Sequence, residues 1–220
     1  MKIEIESLTK ILSHNEILND INLTLESGKI YGFVGKNGSG KTMLMRAICG
    51  LIVPTSGCVK IDGKVLGKDM SFPNSIGALI ENPGFINGYS GFKNLKFLAQ
   101  IQNKISDQDI TSLMKQVGLE PSDKKSFRKY SLGMKQKLGI AAAIMEDPSI
   151  LILDEPFNAL DEETVETIRK LIQSKRNENT VVVISCHDRY EIETLCDEII
   201  EIQAGKIKSI LIKDRNGINV

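Results

Sequence analysis

The stretch "GKNGSGKT", Gly35 to Thr42, constrains the fold of this chain more than any other part of the sequence. It fits the pattern G-x-x-x-x-G-K-[ST] in full and directly follows the apolar run "KIYGFVG". The glycines let the backbone wrap around a phosphate chain, with N–H groups and a helix N-terminus facing the anion. We therefore expect a buried strand, this phosphate loop (Gly35–Thr42) and a helix from Lys41 to about Leu51.

The phosphate loop supplies one set of candidate ligands. Lys41 would pair with the β- and γ-phosphates, and the hydroxyl of Thr42 would bind Mg²⁺. A glycine-rich turn with an exposed lysine is the alternative, which the strand before and the helix after make the weaker interpretation. The predicted phosphate-binding residues are Gly35, Asn37, Gly38, Ser39, Gly40, Lys41 and Thr42.

A second motif, "ILILDEP", ends an apolar strand with two carboxylates. Open parallel sheets bind ligands at the carboxyl ends of their strands, which is where Asp154 and Glu155 would lie. Asp154 would hold Mg²⁺, and Glu155 would orient and deprotonate an attacking water, which is typically worth about 10²–10⁴ in rate. The alternative is an acidic pair that caps the following helix.

The remaining patterns divide the chain into three parts. "KIEIES" and "INLTLE" alternate as half-buried strands near the N-terminus. From about residue 90 to 146 the apolar spacing is helical, with Ser106 and Asp109 as a predicted helix start and Gly118 as a stop. After Pro148 strands alternate with a helix again and end in a hairpin that turns at Ala204-Gly205, so we predict an α/β core with a helical insertion.

Composition excludes several other classes of protein. Lys plus Arg is 28 and Asp plus Glu is 28, so no general attraction for nucleic acid or anionic lipid is expected. The four cysteines lack a CxxC pair and only two histidines are present, which argues against zinc. The apolar runs are far shorter than the ~20 residues needed to span a bilayer, and no signal peptide is recognisable. We expect a cytoplasmic protein with reduced thiols.

Both phosphate-site motifs also occur in P-loop kinases and small GTPases, but the signature segment "YSLGMKQKLGIAAAIMEDP" (Tyr130–Pro148) narrows the choice. It resembles the signature of ATP-binding cassette (ABC) ATPases, commonly LSGGQ followed by a basic helix. Ser131 and Gly133 keep the small positions, whereas Leu132 and Met134 replace the usual glycine and glutamine. The resemblance implies that Ser131 and Gly133 face the γ-phosphate bound by an opposite subunit.

Other motifs of that family follow in order. "NALD" (Asn158–Asp161) resembles the D-loop, which implies that Asp161 lies at a subunit junction. "SCHD" places His187 where the family has a histidine that contacts the γ-phosphate. The family often has an aromatic residue that stacks on adenine, and the corresponding position in this sequence is Leu12. Loss of that stacking would weaken adenine binding by about 0.5–1.5 kcal/mol.

Glu81, in "ALIENPGF", occupies the place of the family's Q-loop glutamine. Its carboxylate would ligate Mg²⁺ and couple metal occupancy to movement of the helical insertion. The alternative is an incidental change in a solvated loop. "IGALIENPGF" together with the signature segment closely resembles the ATPase subunits of lantibiotic-immunity and bacitracin-resistance exporters.

The resemblance implies an α/β fold with a P-loop NTPase (RecA-like) core, an N-terminal antiparallel β subdomain and an inserted α-helical subdomain. One cassette would span 1–220, with the core and β subdomain at about 1–87 and 147–220 and the helical subdomain at about 88–146. It also implies an ATPase that uses ATP and Mg²⁺, with Glu155, His187 and Glu81 as catalytic residues and Thr42, Asp154 and Glu81 at the metal.

Such a chain would power a separate membrane-spanning permease in an exporter for antimicrobial peptides or drugs. It would be a homodimer or heterodimer of cassettes, peripheral at the inner face of the membrane through the permease, with no nucleic-acid partner. The alternative is a soluble ABC ATPase acting on ribosomes or nucleic acid, but such proteins usually carry two cassettes or a long coiled-coil insertion.

Overall fold

The structure is a computed structural model that describes residues 1–81 and 83–213. Its strands are β1 (Lys2–Leu12), β2 (Asn15–Glu26), β3 (Ile30–Val34), β4 (Ser56–Ile61), β5 (Lys64–Val65), β6 (Ile76–Leu79), β7 (Ile150–Asp154), β8 (Val181–Ser185), β9 (Glu198–Gln203) and β10 (Lys206–Ile212). Its α-helices are α1 (Lys41–Ile48), α2 (Gly91–Gln102), α3 (Asp107–Gln116), α4 (Leu132–Ile144), α5 (Glu162–Lys175) and α6 (Arg189–Leu195).

The N-terminal strands form an antiparallel sheet in the order β2-β1-β4-β5. Alternate residues of β1 and β2, such as Ile3, Ile5, Leu23 and Leu25, are buried, as the period of two predicts. The predicted half-buried N-terminal strands are therefore confirmed.

The second sheet has six strands in the order β10-β9-β3-β8-β7-β6. All neighbouring pairs are parallel except β9 and β10, which form the predicted hairpin. Because the central strands are parallel, the ends of β3, β7 and β8 meet at one edge of the sheet, and the loops that follow them lie side by side.

The core lies on both faces of this parallel sheet. In β7, Ile150 and Ile152 pack on the side of α1 and the antiparallel sheet, whereas Leu151 and Leu153 pack on the side of α4. All four side chains are fully buried. This is why the strand reads as a continuous apolar run.

The helical insertion contains α2, α3 and α4. Ser106 and Asp109 form a capping box at the start of α3, and Gly118 follows its end with a φ of 71°. Both the predicted start and the predicted stop are confirmed. The boundaries predicted for the subdomains stay predictions, and residues 214–220 of the predicted core lie outside the described part of the chain.

The helix after the phosphate loop is shorter than predicted. It ends at Ile48 rather than near Leu51, because Gly50 has a left-handed backbone with a φ of 73°. A Cβ at Gly50 would lie 2.9 Å from the carbonyl oxygen of Ser71, so the helix ends where the chain approaches another loop closely.

Candidate functional site

The phosphate loop joins the end of β3 to the start of α1 with a backbone that favours glycine. Gly35, Gly38 and Gly40 have φ values of 150°, 78° and 113°. At Gly35 a Cβ would lie 2.2 Å from the carbonyl oxygen of Ile202, so no larger residue fits without moving the backbone. The loop therefore has the conformation that directs backbone N–H groups toward a bound anion.

Lys41 and Thr42, the last two residues of this loop, begin helix α1. The Lys41 side chain is buried, and its Nζ donates to the carbonyl oxygen of Gly35 at 2.7 Å. The hydroxyl of Thr42 donates to Asp154 Oδ2 at 2.7 Å, although 112 positions separate the two residues. The hydroxyl oxygen of Thr42 and the carboxylate of Asp154 are therefore adjacent at the end of the loop. Oxygen ligands of this kind suit Mg²⁺.

The acidic end of β7 is anchored by the neighbouring strand β8. Ser185, which is fully buried, donates its hydroxyl proton to Asp154 Oδ1. The backbone N–H of Glu155 donates to the carbonyl oxygen of Ser185 at 3.1 Å and lies 3.0 Å from its hydroxyl. One serine therefore aligns both carboxylate-bearing residues, and the sequence alone did not single it out.

Glu155 faces His187. Its Oε1 lies 2.9 Å from the Nδ1 of His187, and its Oε2 accepts the backbone N–H of His187 at 3.2 Å. Burial raises the pKa of Glu155 above its usual range, while the adjacent histidine acts in the opposite direction. A carboxylate with a raised pKa is a stronger proton acceptor, which is what a general base requires.

These groups surround one cavity of about 360 Å³. Its lining residues are Ile17, Asn37, Gly38, Ser39, Gly40, Lys41, Thr42, Met43, Asp154, Glu155 and His187. The predicted phosphate-binding, acidic and histidine motifs therefore come together in the fold. Ile17 was not predicted, and Leu12, which was, lies outside the lining with 43% of its surface exposed.

Glu81 also lies outside the lining of this cavity. Its Oε2 is 3.0 Å from Nη2 of Arg46, in the last turn of α1, and 59% of its side chain is exposed. Glu81 has a left-handed backbone with a φ of 58°. The sequence did not point to Arg46, because the two residues are far apart along the chain. A metal-binding role for Glu81 stays a prediction.

The signature segment begins with a capped helix. Ser131 accepts the backbone N–H of Met134 at 3.2 Å and so caps α4. A Cβ at Gly133 would lie 2.7 Å from the carbonyl oxygen of Ala159, so this glycine permits close packing against the D-loop of the same chain. Ser131 is exposed and does not line the phosphate cavity.

The D-loop and the loop carrying His187 are each followed by a helix. Asp161 caps α5 by accepting the backbone N–H of Thr164 at 2.8 Å, and this bond lowers the pKa of Asp161. On α5, Arg169 donates from Nε and Nη2 to both oxygens of Glu191 on α6, at 2.8 and 2.6 Å. This paired contact holds the two helices together beside a second cavity of about 780 Å³.

Comparison with known proteins identifies the family. The ABC transporter family profile matches residues 18–158. The ABC transporter ATP-binding protein YybJ of Bacillus subtilis is 44% identical, covering 94% of this chain and 95% of its own length. The bacitracin transport ATP-binding protein BcrA of Enterococcus faecalis is 41% identical, covering 93% and 67%. The lantibiotic transport ATP-binding protein SrtF of Streptococcus pyogenes is 37% identical, covering 98% and 92%.

Solved structures give the same fold. The dimeric structure of a bacterial ABC transporter cassette superposes with a TM-score of 0.86 at 23% identity, covering 94% of this chain and 97% of its own. A post-hydrolysis cassette bound to ADP and Pi superposes with a TM-score of 0.85 at 22% identity, with the same coverage. Within residues 1–81 and 83–213, no helix is long and apolar enough to cross a membrane. The chain belongs to the ABC transporter family and is one of its ATP-binding, ATP-hydrolysing subunits.

Proposed function

We propose that this subunit powers a separate membrane-spanning permease that exports antimicrobial peptides of the bacitracin or lantibiotic type. The assignment of ATP hydrolysis to this subunit is supported by one observation: a single cavity is lined by Lys41, Asp154, Glu155 and His187. The substrate class is supported by the transport names of two relatives that are 41% and 37% identical over nearly the whole chain. The subunit would lie at the inner face of the membrane, attached through the permease.

Each residue of the cavity would have a separate role in ATP hydrolysis. Lys41 would leave the carbonyl oxygen of Gly35 and pair with the terminal phosphates. Thr42 and Asp154 would hold Mg²⁺, which when bound neutralises phosphate charge. Glu155 would take a proton from the attacking water, and His187 would hold the carboxylate of Glu155 and approach the γ-phosphate. Leu12 would cover the adenine without stacking on it.

The active site would be completed by a second cassette, either another copy of this chain or a related one. Ser131 and Gly133 of that cassette would face the γ-phosphate, because a small polar residue at a helix N-terminus favours an anion. Asp161 would lie at the junction. The exposure of Ser131 and Asp161 supports this arrangement.

Glu81 would link the nucleotide site to the helical subdomain, predicted at about 88–146. In the described structure its carboxylate pairs with Arg46 at 3.0 Å. Reaching a metal at Thr42 and Asp154 would require that pair to break. We therefore infer that Glu81 changes partner when Mg²⁺ and nucleotide bind.

The experiment is a pull-down of tagged Glu155→Gln from native membranes with ATP and Mg²⁺, with partners identified by mass spectrometry. The variant should turn over ATP about 10²–10⁴ times more slowly than the wild type and so hold the assembled complex. We expect a polytopic permease in the eluate. The control is the Lys41→Ala, Glu155→Gln double variant, which lacks the phosphate-binding lysine.

Two results would contradict the proposal. Ribosomal proteins or nucleic acid in the eluate without a permease would favour the alternative, a soluble ABC ATPase. Normal ATP turnover by Glu155→Gln would remove the assigned general base. If a permease is recovered, export of bacitracin-like and lantibiotic peptides by cells that carry it tests the substrate class.

A further inference from the structure

The backbone of Glu155 has a conformation that needs support. Its φ is 52°, in the left-handed region that residues with a side chain rarely adopt. Such a conformation persists only where surrounding contacts hold it in place. Since φ and ψ determine where Cβ points, the contacts that hold this backbone also aim the carboxylate.

The peptide groups of Glu155 are held from two directions. On the core side, its N–H donates to the carbonyl oxygen of Ser185 at 3.1 Å. On the other side, the Nε2 of Gln136 donates to the carbonyl oxygen of Glu155 at 2.8 Å. The backbone N–H of Asn158 approaches the same oxygen at 3.3 Å and closes a turn.

Gln136 belongs to α4, about one turn beyond Ser131 and Gly133 in the signature segment. It is partly buried, as is the preceding Lys135, whose Nζ lies over the ring of Phe127 at 5.4 Å from the ring centroid. The side chain of Gln136 therefore joins a helix of the insertion directly to the peptide carbonyl of Glu155. This contact does not pass through Glu81 or through the phosphate loop.

We propose that Gln136 is a positioning residue, which fixes the peptide after Glu155 and thereby aims its carboxylate at the attacking water. The proposal rests on the assignment of Glu155 as general base. It also predicts that a displacement of α4 changes the position of the Glu155 carboxylate. Misplacing a reacting group by about 1 Å costs on the order of 10²-fold in rate, so a single hydrogen bond here has a measurable effect.

The test compares three variants of Gln136 in the full chain. Gln136→Met keeps the length of the side chain and removes the donor, Gln136→Glu keeps its shape and replaces the donor with an acceptor, and Gln136→Lys restores an N–H donor. The measurements are kcat for ATP hydrolysis, Kd for ATP and the thermal unfolding midpoint. We expect kcat to fall roughly 10- to 100-fold in the Met and Glu variants, with Kd changed less than about twofold, and to recover substantially in the Lys variant.

A double variant separates positioning from a structural tether. If Gln136 acts through the carboxylate of Glu155, Gln136→Met should add almost nothing to the loss already caused by Glu155→Gln. An unchanged kcat in Gln136→Met would overturn the proposal. A fall in kcat that is explained by weaker ATP binding or by a lower unfolding midpoint would also overturn it. The same holds if Gln136→Lys does not recover kcat, or if the effects of Gln136→Met and Glu155→Gln on kcat add in full. Normal turnover by Glu155→Gln alone would instead refute the general-base assignment.

Discussion

Glu81 and Arg46 form a partly exposed ion pair, with 59% and 34% of their side chains exposed. Pairs of this kind contribute only about 0–1 kcal/mol to stability. Competition from a divalent cation for the carboxylate of Glu81 would therefore suffice to break the pair. At the scale of single residues, the low strength of this contact makes a change of partner by Glu81 energetically accessible.

If Glu81 binds the metal, Glu81→Gln should raise the Mg²⁺ concentration needed for half-maximal ATP turnover roughly tenfold. Arg46→Gln should lower that concentration, because the competing partner of the carboxylate is gone. Neither change should lower the free energy of unfolding by more than about 1 kcal/mol. The measurements are Mg²⁺ titrations of ATP turnover and denaturant unfolding curves.

The matched control is Glu6→Gln, which removes another exposed carboxylate from an ion pair, with Lys60. It should leave the Mg²⁺ dependence unchanged. Wild-type behaviour of both Glu81→Gln and Glu81→Ala in ATP turnover and transport would refute a metal-binding and coupling role.

At the scale of elements, β6 and α4 are in close contact. A Cβ at Gly77 of β6 would lie 1.7 Å from the carbonyl oxygen of Ala143 near the end of α4, and 2.8 Å from Pro148 Cγ. Backbone atoms of a helix cannot rotate away as a side chain can. The absence of a side chain at Gly77 therefore lets the last helix of the insertion pack on the edge of the parallel sheet.

Gly77→Ala should destabilise the protein by separating these elements. Overpacking of this kind typically costs about 1–3 kcal/mol, which in a chain of this size lowers the unfolding midpoint by roughly 2–12 °C. The measurement is thermal unfolding followed by circular dichroism. Gly88→Ala is the control, because a Cβ there would meet nothing within 4 Å and the residue has no positive φ. Equal midpoints for the two variants would contradict this account.

At the scale of the whole molecule, Ser131 at the start of the signature segment lies apart from the phosphate cavity of its own chain. Ser131 is exposed and does not line the cavity that Lys41 and Glu155 form. A second cassette would bring a signature segment to the nucleotide. ATP itself would then lie in the interface, so closure of two chains should depend on bound nucleotide.

In the Glu155→Gln background, ATP should convert the chain from monomer to dimer, as measured by light scattering after size-exclusion chromatography. Adding Ser131→Asp should weaken this dimer at least roughly tenfold, because a carboxylate would face the γ-phosphate. Asp is as good a helix cap as Ser, so α4 should remain intact. Ser90→Asp, at the cap of α2, is the control. An undiminished dimer in the Ser131 variant would contradict the two-chain site.

Short sequence patterns were enough to predict most of the fold and the types of residue in the candidate site. The phosphate loop and "ILILDEP" are runs of consecutive residues whose chemistry depends on short backbone segments, so both could be read without a three-dimensional structure. The alternation of buried residues in the N-terminal strands and the caps of α3 are equally local, and both are confirmed. The end of α1 was placed too late, because the contact of Gly50 with a distant loop was not visible in the sequence.

The sequence by itself determined the family, the α/β class and the residue types able to bind phosphate and metal, because these depend on neighbours along the chain. Only the tertiary structure decided which distant residues meet. It joined Gln136 to the carbonyl oxygen of Glu155, gave Glu81 an arginine partner and set Ser185 beneath the acidic pair. Contacts of this kind depend on how helices and sheets pack and on which rotamer fits between them, and no local pattern encodes that geometry.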